Sequence, residues 1–102
     1  PQTEMMGVNC QGAIMTHVCL NLANLSQANL SFTRMNHADL SRAILSGANF
    51  GDAELIEAFL ARANLMGANF TNANLSRADL MSANMTGVNF RGATMPDGKV
   101  HD

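Results

Sequence analysis

The chain has 102 residues, 47% of them apolar, yet its aromatic side chains are five Phe with no Trp and no Tyr. That length holds one domain or a piece of one, and a core without large aromatics must be assembled from Leu, Met and Ala in many small layers. The formal net charge is −2, and between Val8 and Met95 five acids (Asp39, Asp52, Glu54, Glu57, Asp79) balance five arginines (Arg34, Arg42, Arg62, Arg77, Arg91), so the body of the chain offers no electrostatic footprint for nucleic acid.

Residues 1–7 are expected to form a lead-in. No signal peptide is visible and no apolar run approaches the length of a membrane span. The chain begins at Pro1 rather than Met, which suggests that a leader peptide or a preceding domain was removed or left out. Cys10 and Cys19 have neither CxxC spacing nor clustered His partners. They read as two small hydrophobes in a repeat, and they indicate no redox compartment.

From residue 8 to 95 the chain repeats every five residues. Every position divisible by five from Cys10 to Met95 is apolar, eighteen in all. Two residues earlier, from Val8 to Ala93, stand fourteen Ala, three Val and Thr33. A polar slot, usually Asn or Asp, lies between these two, and Ser, Thr, Gly, Arg or His mostly follow. A strand repeats its faces every two residues and a helix every 3.6, so five fits neither. The large central residue and the small one two before it share a face of extended backbone and point inward. The slot points outward, and the last two residues turn the corner. Such pentapeptides bury a core only when stacked as coils of a solenoid. Ala is nearly obligatory at the inner position because a larger side chain would crowd the axis of a narrow tube. Thr33 is the least suited residue there, and its hydroxyl needs a backbone carbonyl. Residues 96–102 are expected to form a tail that closes the last coil.

The pattern in "ANLSQANLS", "ADLSR" and "ANLMGANFTNANLSRADL" closely resembles the A[N/D]LXX repeat of the pentapeptide-repeat family, over residues 8–95 without an insertion. The ending "GATMPDGKVHD" resembles the terminus of many cyanobacterial members. The resemblance implies an all-β fold, a right-handed quadrilateral parallel β-helix with four pentapeptides per coil and about four and a half coils. Residues twenty apart then stack. Cys10, Leu30, Phe50, Phe70 and Phe90 share one column and Leu20, Leu40, Leu60 and Leu80 another. Asn9, Asn29, Asn49, Asn69 and Asn89 form an outward row in which stacked amides can hydrogen-bond along the column. Arg34 falls under Glu54 and Glu57 under Arg77. His17 and His37 share a corner column with Glu57, but adjacent layers cannot wrap a metal on more than one side, and no metal site is expected.

No catalytic constellation is present. The serines occupy corners where the repeat itself favours Ser, the histidines lie outside any expected cleft, and a filled tube leaves no pocket for a cofactor or small substrate. The departures from the repeat are apolar residues at outward positions: Ile14, Ile44, Ile56, Phe59, Met66 and Met81. Phe59 and Met81 are expected to share the wall built on Leu20–Leu80, and Ile44 and Met66 the next wall, with Arg42 and Arg62 at the corner between. Grouped apolar residues on adjoining walls mark a possible partner surface. The expected function is a non-catalytic structural or protein-interaction module that binds a protein partner or itself, and neither nucleic acid, membrane nor a small molecule. The alternatives are a DNA-mimicking gyrase inhibitor, which the family includes, and the repeat domain of a larger signalling protein. Mimicry requires a strongly negative rod, and this body is neutral. The bacterial cytoplasm is the favoured compartment, with the periplasm or thylakoid lumen as alternatives if Pro1 follows a cleaved leader.

Overall fold

The computed structural model describes residues 3–102. It contains no helix; turns recur every five residues, and between them each short extended segment contributes a single parallel bridge. All parallel bridges join residues twenty apart, from Glu4↔Asn24 to Asn74↔Thr94. The chain is therefore a β-solenoid whose register is twenty residues, with four turns in each register length.

Backbone donors account for this geometry, and the repeat around Phe50 shows how. The Ala48 N–H donates to the Leu45 carbonyl at 3.0 Å and closes a turn. Asn49 N–H donates to Ala28 of the preceding coil at 2.9 Å, while Phe50 and Asp52 donate to Asn69 and Thr71 of the following coil. Within each turn only the third residue has positive φ, as a type II turn requires. That position runs from Gly7 to Gly92 without a gap, and twelve of its occupants are not glycine. A left-handed non-glycine costs roughly 1–3 kcal/mol, so stacking must hold these corners in place.

The interior is as the five-residue pattern implies. The inward Leu, Met, Phe and Ala of the middle coils are buried. The rings of Phe50 and Phe70 stack with centroids 4.6 Å apart and planes within 7°, and Phe70 and Phe90 stack at 5.6 Å. Thr33 is fully buried, and its hydroxyl donates to the Leu30 carbonyl at 2.7 Å.

Three expectations need correction. Burial of every central residue from Cys10 to Met95 holds only for the middle coils. Cys10, Met15, Leu20, Leu80, Phe90 and Met95 are half-buried and Met85 is exposed, because a layer loses water only when another covers it. The regular coil also begins before Val8: Glu4 bridges Asn24, and Met5 and Gly7 donate to Asn24 and Ser26. The lead-in of 1–7 is thus partly coil, and residues 1 and 2 lie outside the described residues. At the other end, Val100 pairs antiparallel with Thr94, and the His101 carbonyl and N–H bond Gly92 and Ala93. The tail therefore covers a single wall of the last coil, which leaves Leu80, Met85 and Val88 without a layer above them.

Two substitutions test the tube. Ala68→Leu should overpack the axis and lower stability by about 1–3 kcal/mol in thermal or urea unfolding. Thr33→Ala should be neutral or slightly stabilising, since an Ala N–H can close the turn on Leu30 as other repeats do.

Candidate functional site

Of the five N–H groups in a repeat, backbone bonding uses four. The fifth, on the first corner residue, is met by the slot side chain. Asn49 Oδ1 accepts from Gly51 N–H at 2.9 Å. Equivalent bonds run from Gln11 to Asn9, Ser31 to Asn29, Ser41 to Asp39, Ser76 to Asn74 and Arg91 to Asn89. Ser or Thr at the corner often adds its hydroxyl to the same oxygen, as Ser31 does at 2.6 Å. The slot is Asn or Asp because only these place an acceptor two residues ahead of their own backbone.

This cap modifies the expected amide ladder. In the Asn9–Asn89 row every Oδ1 accepts from a corner N–H. A bond between stacked amides forms only from Asn69 to Asn49, at 3.1 Å. Charges pair between coils as their columns indicate: Arg34 with Glu54 at 3.8 Å, and Glu57 with Arg77 at 3.9 Å and His37 at 3.5 Å. The rings of His17 and His37 stack at 4.9 Å. These pairs are exposed and tune register by roughly 0–1 kcal/mol each. Both cysteines are free, and among the described residues no His, Cys, Asp and Glu side chains group as a metal site.

Against this rule the apolar departures separate into kinds. Ile14, Ile44 and Phe59 occupy true slots; Ile56, Met66 and Met81 stand instead at the first corner position, which corrects their expected placement in outward slots. Phe59, Met66 and Met81 are exposed by 51%, 47% and 72%, whereas Ile44 and Ile56 are half-buried. Phe59 lies between Asp39 and Asp79 in its column and Ile44 between Asn24 and Asn64, so the apolar groups are interleaved with polar ones. Arg42 and Arg62 occupy one corner in successive coils, with backbone N–H groups bonded to Ala61 and Met81. The sequence reading overlooked Leu22, which is exposed in that same corner column, and Phe32. Their signal was an apolar residue at a corner position otherwise polar or glycine.

Ile44 and Phe59 have a further consequence. Neither can accept a hydrogen bond, so Ser46 and Ala61 lose the cap that their neighbours have. Thr16, Asn21 and Asn36 lack it too, after Ile14, Cys19 and Arg34, whereas two departures are compensated: the Ile56 N–H finds Asn36 Oδ1 at 2.9 Å, and after Thr94 comes Pro96, which has no N–H to satisfy.

The family model for pentapeptide repeats matches residues 23–61, 43–80 and 60–96, with eight copies. The chain belongs to the pentapeptide repeat family. Among solved structures it is similar to a family member from the thylakoid lumen of Arabidopsis thaliana, at 29% identity and a TM-score of 0.89 over 99% of this chain and 70% of that one. Rfr23, a pentapeptide repeat protein from the cyanobacterium Cyanothece, is 29% identical with a TM-score of 0.53; the match covers 92% of this chain but only 57% of Rfr23. QnrB1, a plasmid-mediated fluoroquinolone resistance protein, is 16% identical with a TM-score of 0.49, over 91% of this chain and 70% of QnrB1. At that level the likeness has no bearing on what this chain binds. A comparison with curated protein sequences gave no match.

Restoring the missing acceptor should stabilise this family member. Phe59→Asn and Ile44→Asn should each raise unfolding free energy by about 0.5–1.5 kcal/mol, measured by urea denaturation. Asn69→Ala should lower it by a similar amount.

Proposed function

We propose that this chain is a non-catalytic interaction module, a right-handed four-sided rod of about four and a half coils. Its repeat body, 8–95 by sequence, presents a rigid surface to a protein partner or a second copy, and residues 96–102 cover one wall of the last coil. The partner surface comprises Ile44, Phe59, Met66 and Met81 with Arg42 and Arg62 at the corner between their walls. One observation carries the choice of surface. In the middle coils Ile44 and Phe59 are the apolar slots, each forgoing the acceptor that caps most corners, and they stand on both sides of the Arg42–Arg62 corner. Residues that break a protein's own local rules without a structural gain point to a function. Large apolar residues and Arg are also the types that most often anchor interfaces.

The balance of five acids against five arginines in the body argues against imitation of a DNA phosphate ladder. The compartment in this reading is the bacterial cytoplasm, with the thylakoid lumen of the Arabidopsis relative as the alternative.

The test uses the unmodified chain and a Phe59→Ser, Met81→Ser double variant as baits, with light scattering for self-association. The double variant should retain its melting transition and lose the partner or self-association of the unmodified chain. An unchanged partner profile moves the surface elsewhere on the rod. Suppression of gyrase supercoiling by micromolar unmodified protein would establish the mimic reading instead.

A further inference from the structure

We infer that the Arg42–Arg62 corner receives an extended acidic segment of a partner, one with two carboxylates flanked by large apolar side chains. This rests on the interaction reading above and names the chemistry of the partner.

The corner is electrostatically unlike the other charged columns. Elsewhere opposite charges follow one another up the rod: Arg34 meets Glu54, and Glu57 meets both His37 and Arg77. Arg42 and Arg62 instead place like charges in adjacent coils about 4.8 Å apart, an arrangement that disfavours the folded state. Among the described residues neither guanidinium is in an ion pair. The nearby wall carries Asp39 and Asp79, but each directs an oxygen to a corner N–H, of Ser41 and Met81 respectively, both at 3.0 Å. Both aspartates keep their charge, but among the described residues neither is in an ion pair with Arg42 or Arg62, so the two guanidinium forks stay open to an external partner.

Apolar side chains bound them along the rod. The Leu22 N–H bonds Ser41, Arg42 bonds Ala61 and Arg62 bonds Met81, so the corner column climbs through Leu22, Arg42, Arg62 and Ser82, with Met81 next to Ser82 at its upper end. Leu22 and Met81 are 49% and 72% exposed, and Phe59, at 51%, lies in the coil of Arg62. Up the column the surface is apolar, cationic and cationic, and Met81 adds an apolar side chain beside Ser82, over about 14 Å in all. An extended chain rising about 3.3 Å per residue crosses that distance in about five residues. Seven residues, about 20 Å end to end, place four side chains on one face and overhang it slightly at both ends. Guanidinium accepts carboxylate in a bidentate fork, and a carboxylate pair would neutralise the stacked arginines. Nucleic acid would require a longer cationic track than two residues on a neutral body.

The experiment titrates the isotope-labelled chain with the peptide Leu-Ala-Glu-Ala-Glu-Ala-Leu, which when extended puts both Leu and both Glu on one face. Amide shifts should centre on residues 41–42, 61–62 and 81–82, and binding should weaken as salt rises from about 50 to 500 mM. Replacing Glu by Gln in the peptide should cost at least tenfold in affinity. Arg62→Glu should cost at least tenfold too, yet keep or raise the melting temperature, because Arg42 then faces a carboxylate. Equal affinity for the Gln peptide, with shifts still around Phe59 and Met81, overturns the acidic partner while leaving the interaction surface standing. Shifts centred on another wall, none at millimolar peptide, or preferential binding of a duplex DNA oligonucleotide also overturn it. Loss of self-association or partner capture in the Phe59→Ser, Met81→Ser variant tests the broader reading independently.

Discussion

Stacking satisfies four of the five backbone donors in each repeat, and the fifth depends on a side chain. The four are met by one turn bond and three bonds to neighbouring coils, as at Ala48, Asn49, Phe50 and Asp52. The fifth is met by an Asn or Asp oxygen two residues before it. Buried or half-buried N–H groups without acceptors cost about 1–3 kcal/mol each, and a rod of such repeats could not absorb that cost many times. The requirement therefore determines the slot residue, the twenty-residue register and the left-handed corner together.

The same constraint explains the narrow core. Bonds between coils hold the layers at one spacing, so inward side chains must fit the space that spacing leaves. Leu and Ala of the middle coils are excluded from water, and Phe50 stacks nearly parallel on Phe70 because a tilted ring would displace the backbone of the next layer. The corners answer to the same force. Twelve non-glycine residues are held at positive φ, a conformation that one repeat alone would abandon. Exposed ion pairs such as Arg34–Glu54 are secondary to this network.

In the proposed reading, function enters where the network is relaxed. A slot occupied by Phe59 or Ile44 weakens its own corner, while the uniform Asn9–Asn89 row leaves no corner uncapped. The contrast separates walls that serve the fold from the walls around Arg42 and Arg62. A rod suits such a division, because each coil contributes to an outer surface without altering the axis, and solenoids recognise partners across several repeats in this way.

The period of five, the inward Leu and Ala columns, the Phe stack and the charge columns were legible in the sequence. Each follows from local alternation and a fixed stacking distance. Even Glu4 and Met5 carried the pattern, although the repeat was expected to begin at Val8. The slot cap was not legible, because a pattern of Asn and Asp shows that a position is polar but not where its oxygen points. Met66 and Met81 follow the central Leu65 and Leu80 and so were legible as corner residues, although they were expected in slots. The half-burial of Leu80 and Phe90 depended on what lies above them, whereas Leu22, twenty residues before Arg42, was legible in the arginine column and was overlooked. Sequence determined which residues face the axis, since that is settled within one repeat. Tertiary structure decided which donors lack acceptors and which charges lack partners, since those depend on residues brought together from different coils.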